Sequence, residues 1–328
     1  MFTLFVLSSV LSFSLVNCSP DFGQFNISCD NDRPVIGVLS LPSWDEIKQV
    51  EDNRSSYIVA SYVKFLESAG ARVIPVLPGH DEAYYQEMVN LTNGFLFTGG
   101  GLWLSTSMYT TAASYIWKHA LKLNSEGDFY PIWGTCLGLE LIAYLANDLV
   151  WPLTNCSSWD APLKLNFSMN SQELKSTSLF SGSDESIIEI LSKENVTINY
   201  HHQCLTPETV ESSKLAQSFR ILSTNKDKRG IEFVSIMEGK TLPVYLVQFH
   251  PERVLFEPNY IKSFKRTPHS ANAVKVSQYF ANFFVNQARK NCHIYPNTDE
   301  YHAKLIYNYC PQFSGLEGGH EQTYYFKW

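Results

Sequence analysis

The chain has 328 residues, 45% of them apolar, 14% aromatic and 17% charged, so it can bury a full core and is not intrinsically disordered. Its 17 glycines and 15 prolines follow no repeating period, which excludes collagen-like and low-complexity classes. The 25 Lys and Arg residues against 32 Asp and Glu give a net charge of −7, which argues against nucleic acid as a partner.

The N-terminus predicts a secretory signal over residues 1–18. Residues 2–16 are apolar and uncharged, and the run is too short to span a bilayer comfortably. Cleavage after Cys18 would leave a mature chain that begins at Ser19; a buried N-terminal strand is the alternative. No second stretch is long and apolar enough to cross a membrane, so residues 19–328 are expected to form a single soluble domain with no membrane partner.

Short apolar runs alternate with helically spaced apolar positions along the mature chain. Strands are predicted at 34–39, 72–76, 94–97, 130–133, 219–222, 231–237 and 244–249. Helices are predicted from about Ser56 to a cap at Gly70, around 112–121, and over 139–149 and 273–288. Residues 153–215 are less regular and predict edge elements and loops. This order predicts an α/β fold, a doubly wound, mainly parallel sheet with helices on both faces and its sites at the carboxyl ends of the strands.

The segment Gly134-Thr135-Cys136-Leu137-Gly138 joins a predicted strand to a predicted helix and has the form of a nucleophile elbow. Small residues are needed there because a sharp turn brings the backbone close to neighbouring strands. Free N–H groups at the helix N-terminus would stabilise a Cys136 thiolate, and the Leu137 N–H could bind an oxyanion. A small cysteine packed between strand and helix is the structural alternative.

Two further segments follow predicted strands. In Gln248-Phe249-His250-Pro251-Glu252, His250 could take the thiol proton while Glu252 orients its ring. In the run Gly99-Gly100-Gly101, backbone N–H groups could face the same oxyanion as Leu137. A surface histidine beside an unrelated carboxylate and a plain flexible turn are the respective alternatives.

Cysteines and glycosylation acceptors bear on the compartment. The mature chain keeps six cysteines, which permit three disulfides, or two disulfides with a nucleophile and one other thiol: Cys29, Cys136, Cys156, Cys204, Cys292 and Cys310. Six asparagines begin N-x-[ST] triplets: Asn26, Asn53, Asn90, Asn155, Asn166 and Asn195. So many acceptors favour the secretory pathway, leading to the lysosome, the extracellular space or both.

Taken in order, the strand–GGG, strand–GTCLG–helix and strand–QFHPE segments resemble the class I glutamine amidotransferase-like superfamily, and within it the gamma-glutamyl hydrolase family. The similarity extends over nearly the whole mature chain, at residues 33–37, 60–72, 131–138, 233–239, 247–252, 270–275 and 283–290.

The resemblance implies a cysteine peptidase that cleaves gamma-linked glutamates from folate polyglutamates through a thioester. It makes Cys136 the nucleophile, His250 its base, Glu252 the third member and His201, in Asn199-Tyr200-His201, a further active-site histidine. It also implies a homodimer. Arg253 and Lys64 are candidates to receive substrate carboxylates, although a solvated surface charge is the alternative for each.

Other functions stay open at this point. The same Cys-His-Glu set serves ammonia-producing glutaminases, although no attached synthase domain is visible. A secreted binding glycoprotein with a dead site would be marked by three disulfides that include Cys136. No cofactor is expected, and no metal either, because cysteines and histidines do not fall at ligand spacing.

Overall fold

The computed structural model describes residues 29, 31–43, 55–258, 265–315 and 319–327. The predicted signal over residues 1–18 and the acceptors Asn26 and Asn53 lie outside the described residues. In the described part, none of the helices has the length and apolar character needed to cross a membrane.

Strands and helices alternate from Ser55 to Ala146. The strands are β1 (Val35–Leu39), β2 (Leu41–Pro42), β3 (Ser55–Val59), β4 (Arg72–Val76), β5 (Phe95–Phe97), β6 (Ile132–Thr135), β7 (Leu153–Leu163), β8 (Asn166–Phe167), β9 (Thr197–Leu205), β10 (Phe219–Lys226), β11 (Glu232–Gly239), β12 (Val244–Val247), β13 (Gln312–Phe313) and β14 (Gln322–Lys327). The helices are α1 (Ala60–Glu67), α2 (Glu82–Leu91), α3 (Met108–Ser125), α4 (Leu137–Ala146), α5 (Ser171–Leu174), α6 (Glu185–Lys193), α7 (Pro207–Ser212), α8 (Leu215–Ser218), α9 (Pro251–Phe256), α10 (Ala271–Ala288) and α11 (Asp299–His302).

The central sheet has the order β4-β1-β5-β6-β12-β11-β10-β8. Its first five strands are parallel, and β11, β10 and β8 continue it in antiparallel fashion. The carboxyl ends of β5, β6 and β12 therefore meet at one edge, as a doubly wound sheet requires. The predicted fold class is confirmed.

Helices cover both faces of the sheet. On one face, Trp133 of β6 is fully buried and packs against Phe65 of α1 and Phe284 of α10, with ring centroids 6.2 and 5.7 Å away. On the other face, Phe95 and Phe97 of β5 join a core built with α2, α3 and α4. Each fully buried aromatic side chain contributes roughly 2–3 kcal/mol. Both cores thus hold β5 and β6, the strands that carry the glycine run and the cysteine, in fixed positions.

Some elements differ from the sequence-based predictions. The helix predicted from about Ser56 begins at Ala60, because residues 55–59 pair with β14 near the C-terminus and favour a strand through Tyr57, Ile58 and Val59. Helix α2, capped by the Asp81 side chain, was missed in a polar stretch. Residues 153–215 hold more regular structure than predicted, since the long strand β7 pairs antiparallel with β9.

The cysteines divide as the second sequence alternative allows. Disulfides join Cys29 to Cys292 and Cys156 to Cys204. Cys136 is free and buried, and Cys310 is free and exposed. A third disulfide that includes Cys136, the mark of a dead binding glycoprotein, is not formed.

Candidate active site

The turn that carries Cys136 is a strained strand-to-helix elbow. Cys136 follows β6 directly, caps α4 and has a φ of 52°, a conformation that non-glycine residues adopt rarely. Its N–H donates to the carbonyl of Val247, at the end of β12, at 2.8 Å. A Cβ at Gly138 would clash with the carbonyl oxygen of Phe97, so the glycine is required by close approach of α4 to β5. This contact explains the glycine that ends the elbow.

The thiol of Cys136 lies in a buried environment, with the residue only 3% exposed. Burial raises its pKa well above the ordinary value, and a negative charge on Glu140 raises it further. The N–H of Leu137, at the start of α4, hydrogen-bonds the thiol group and acts in the opposite direction. The thiol therefore needs a proton acceptor nearby if it is to form a thiolate.

His250 and Glu252 provide that acceptor at the end of β12. His250 caps α9, and its Nδ1 lies 2.7 Å from Oε1 of Glu252, which is buried in the first turn of that helix. This contact places a proton on Nδ1, which donates a hydrogen bond to the carboxylate, and leaves Nε2 as the basic nitrogen. The His250 Nε2 atom is buried and has no hydrogen-bond partner among the described residues. It is free to accept the thiol proton.

Gly99 is the point at which these groups meet. A Cβ placed there would lie 2.5 Å from Cε1 of His250 and 3.2 Å from Cβ of Cys136. The Gly99 N–H donates to the hydroxyl of Tyr62 at 2.7 Å, and that hydroxyl lies 3.3 Å from Nδ1 of His250. Gly99 thus packs between base and nucleophile, and the N–H predicted to bind an oxyanion has Tyr62 as its present partner.

A cavity of about 160 Å³ opens beside these residues. Its lining includes the predicted residues Cys136, His250, Glu252, Arg253 and Gly99–Gly101. The other lining residues were not selected from the sequence: Tyr57, Val59, Tyr62, Trp159, Tyr200 and His320. Arg253 is only 5% exposed, its guanidinium lies 4.7 Å from the centre of the Tyr200 ring, and its Nη2 is 3.0 Å from Nδ1 of His320. It is not the solvated surface charge that the sequence alternative proposed.

Besides Leu137, whose backbone N–H is the predicted donor, two of the predicted residues lie outside the cavity lining. His201 is buried on β9 and its Nδ1 contacts the Gln203 carbonyl at 2.9 Å, while burial lowers its pKa to about 3, so the ring is neutral. A charge on His250 lowers this pKa further, so the two rings interact electrostatically. Lys64, on α1, donates a hydrogen bond to Oε1 of Gln322 at 2.6 Å.

Comparison with known proteins identifies the family. A family model described as Peptidase C26 matches residues 34–252, the segment that contains the elbow and the His250–Glu252 pair. Gamma-glutamyl hydrolase of Rattus norvegicus is 40% identical over 296 residues, 90% of this chain and 90% of that protein. Gamma-glutamyl hydrolase B of Dictyostelium discoideum is 38% identical over 303 residues, 92% of this chain and 85% of that protein. A solved glutaminase domain of Trypanosoma brucei CTPS with bound acivicin aligns with a TM-score of 0.47 at 13% identity, covering 81% of this chain and 97% of that one. From the family match and the two hydrolases, this chain belongs to the peptidase C26 family.

Proposed function

We propose that this protein is a cysteine-dependent gamma-glutamyl hydrolase that cleaves folate poly-gamma-glutamates. The observation that carries the proposal is the meeting of Cys136 with the His250–Glu252 pair at Gly99, beside a cavity. The names of the rat and Dictyostelium relatives support the bond type. The motif resemblance supports the folate polyglutamate.

The catalytic cycle uses one thiol and one imidazole. His250 Nε2 takes the proton of Cys136, and the thiolate attacks the gamma-amide carbonyl. His250 then protonates the leaving amine, a thioester remains, and water activated by the same nitrogen hydrolyses it. Each proton transfer contributes about two to four powers of ten, and Glu252 stabilises the imidazolium. His201 stays a predicted additional histidine that acts on His250 from outside the cavity.

The oxyanion is bound by backbone N–H groups of Leu137 and the Gly99–Gly101 turn. The Leu137 N–H already contacts the thiol, so it points at the atom that attacks. The Gly99 N–H exchanges the Tyr62 hydroxyl for the oxyanion, or Gly100 and Gly101, which are exposed, supply donors instead.

Arg253 receives a carboxylate of the substrate. The protein carries a net charge of −7, so binding a polyanion requires a local cation. Arg253 lies in the cavity lining with the nucleophile and presents a guanidinium, which suits carboxylates geometrically. Lys64 is directed to Gln322 and does not line the cavity.

The proposal is tested by glutamate release from a pteroyl poly-gamma-glutamate at mildly acidic pH, with and without iodoacetamide treatment. The Cys310→Ala variant is the right parent, because Cys136 is then the remaining free thiol among the described residues. We expect release that iodoacetamide abolishes. An alpha-linked glutamyl peptide is the matched substrate and should not be cleaved. Ammonia release from glutamine with no gamma-glutamyl cleavage would instead establish a glutaminase.

The hydroxyl of Tyr62 is predicted to assist this reaction by fixing the imidazole and the glycine turn. We expect Tyr62→Phe to lower kcat about five-fold, since one buried hydrogen bond contributes about 1 kcal/mol and about 1.4 kcal/mol is a factor of ten. Steady-state kinetics of the folded variant measure this, with Tyr115→Phe on α3 as the control. An unchanged kcat would show that Glu252 alone orients the ring.

We further propose that the protein enters the secretory pathway, reaches the lysosome or the extracellular space, and forms a homodimer. Two disulfides support an oxidising compartment. The four described acceptor asparagines are exposed, as glycosylation requires: Asn90, Asn155, Asn166 and Asn195. The dimer rests on the family resemblance.

A further inference from the structure

A buried carboxyl group that the catalytic cycle does not use lies one helical turn after the nucleophile. The N–H of Glu140 donates to the carbonyl of Cys136 at 3.0 Å, in the first turn of α4. The residue is 6% exposed, and burial raises the pKa of its carboxyl group to about 7. Burial therefore disfavours the ionised form of Glu140. A negative charge there would also lie close to the thiol.

The partner of Glu140 is an amide with an unsatisfied oxygen. Gln248 is fully buried just past the end of β12, and its Nε2 donates to Oε1 of Glu140 at 3.0 Å. The Oε1 atom of Gln248 is buried and has no donor among the described residues. Such an unpaired oxygen costs about 1–3 kcal/mol. An ionised carboxylate cannot donate to it, whereas a protonated carboxyl can, which closes a reciprocal acid–amide pair.

The charge of Glu140 acts directly on the nucleophile. After burial itself, it is the largest influence that raises the pKa of the Cys136 thiol. A neutral Glu140 therefore makes the thiolate easier to form, and an ionised one makes it harder. Every unit of thiol pKa is a factor of ten in the thiolate population.

Among the elements packed against α4, Glu140 of α4 itself is the carboxyl group that changes charge near neutral pH. Strands β5 and β6 and helix α8, which pack against α4, carry no titratable side chain. The other elements packed against α4 contribute these titratable groups: Tyr245 of β12, Tyr200, His201 and His202 of β9, and Tyr109, Tyr115, Lys118, His119 and Lys122 of α3. Burial keeps Tyr245, Tyr109, Tyr200 and His201 neutral across this range, and His202 is exposed and stacks on Trp159. Lys118 and His119 pair with Glu82 at the surface.

We propose that Glu140 is a positioning residue, held as a neutral acid by Gln248, and that loss of its proton in mildly alkaline solution makes Cys136 less reactive. The inference rests on the proposed function only in taking Cys136 as the nucleophile. It gives the site a reactive state at acidic to neutral pH and a less reactive state above it.

Glu140→Gln tests this in the Cys310→Ala parent. The introduced amide keeps both hydrogen bonds, since its NH₂ group can donate to Gln248 Oε1 and its oxygen can accept from Nε2. The rate of iodoacetamide reaction with Cys136 is measured from about pH 5 to 8.5. We expect the ratio of variant to parent to be near one at the acidic end and to rise to about ten at the alkaline end, a shift of about one unit in thiol pKa. In the pH profile of kcat/KM, the decline on the alkaline side should likewise shift to higher pH in the variant.

Glu238→Gln is the matched control, because Glu238 is also a buried carboxyl whose pKa burial raises, but it lies on β11 opposite Tyr245, toward the other end of β12 from Gln248. Its alkylation ratio should not vary with pH. A pH-independent ratio for folded Glu140→Gln, checked by circular dichroism, would overturn the proposal. Infrared spectra at pH 5.5 should show a protonated-carboxyl band in the parent that is lost in Glu140→Gln. Spectra without such a difference would also overturn the proposal. Because alkylation needs no substrate, a protein that fails to release glutamate but shows the expected thiol profile would refute the proposed function alone.

Discussion

Replacing Cys136 with alanine should lower kcat for gamma-glutamyl cleavage by about four powers of ten or more. The thioester cannot form without the thiol, and transition-state binding by the backbone N–H groups accounts for what activity is left. The shape of the site should survive, because alanine fits where Cys136 Sγ stood and the turn is fixed by Gly138 against Phe97. Substrate affinity is therefore expected to change little, which equilibrium binding to the inactive protein measures.

Cys310→Ala is the matched control for this result. Cys310 is the other free cysteine of the described residues, but it is exposed near the C-terminus and outside the cavity. The control variant should keep full activity and full sensitivity to iodoacetamide. Turnover by Cys136→Ala within ten-fold of the parent would exclude the covalent scheme and would move the nucleophile to water or to another side chain.

The chemical core of this site could be predicted because its signals are local. The elbow is a run of five residues whose two glycines are each required by a close approach, and His250 and Glu252 are two residues apart. Their meeting could also be predicted, since both segments follow strands that are parallel neighbours in the sheet, β6 and β12.

The remainder of the site depends on contacts between distant parts of the chain. The apolar spacing of α1 indicates a core position for Tyr62, and it is buried, but its hydroxyl reaches Gly99 and His250, which lie 37 and 188 residues away. Strand β3 was predicted as helix because its partner, β14, is the last strand of the chain. Periodicity along one segment carries no information about such partners.

Acid–amide pairing of Glu140 with Gln248 escaped prediction for the same reason. Their sequence separation is 108 residues, and the catalytic predictions in the two segments were made for Cys136 and His250 instead. Buried polar groups at such positions become interpretable only when each donor and acceptor can be counted. Here that count leaves an oxygen of Gln248 without a partner in the part of the chain that the structure describes.

Replacing His250 with alanine should lower kcat by about three to four powers of ten, because one imidazole performs the proton transfers of both half-reactions and each contributes about two to four powers of ten. The effects do not add in full, since water can substitute partly for a missing base. Cys136 should also react more slowly with iodoacetamide at neutral pH, because the thiol loses the group that accepts its proton and less thiolate forms.

His80→Ala supplies the comparison for this variant, since His80 is exposed and stacks on Tyr84 away from the cavity. Its kcat and alkylation rate should match those of the parent. Added imidazole should restore part of the activity of His250→Ala, because the deletion leaves space against Gly99 where the ring stood. A kcat within ten-fold of the parent would show that His250 is a structural residue of the α9 cap and that the base is a different group. The joint loss of turnover and thiol reactivity, with rescue by imidazole, instead requires His250 to act on the Cys136 proton, since a defect of packing alone would not respond to a free base.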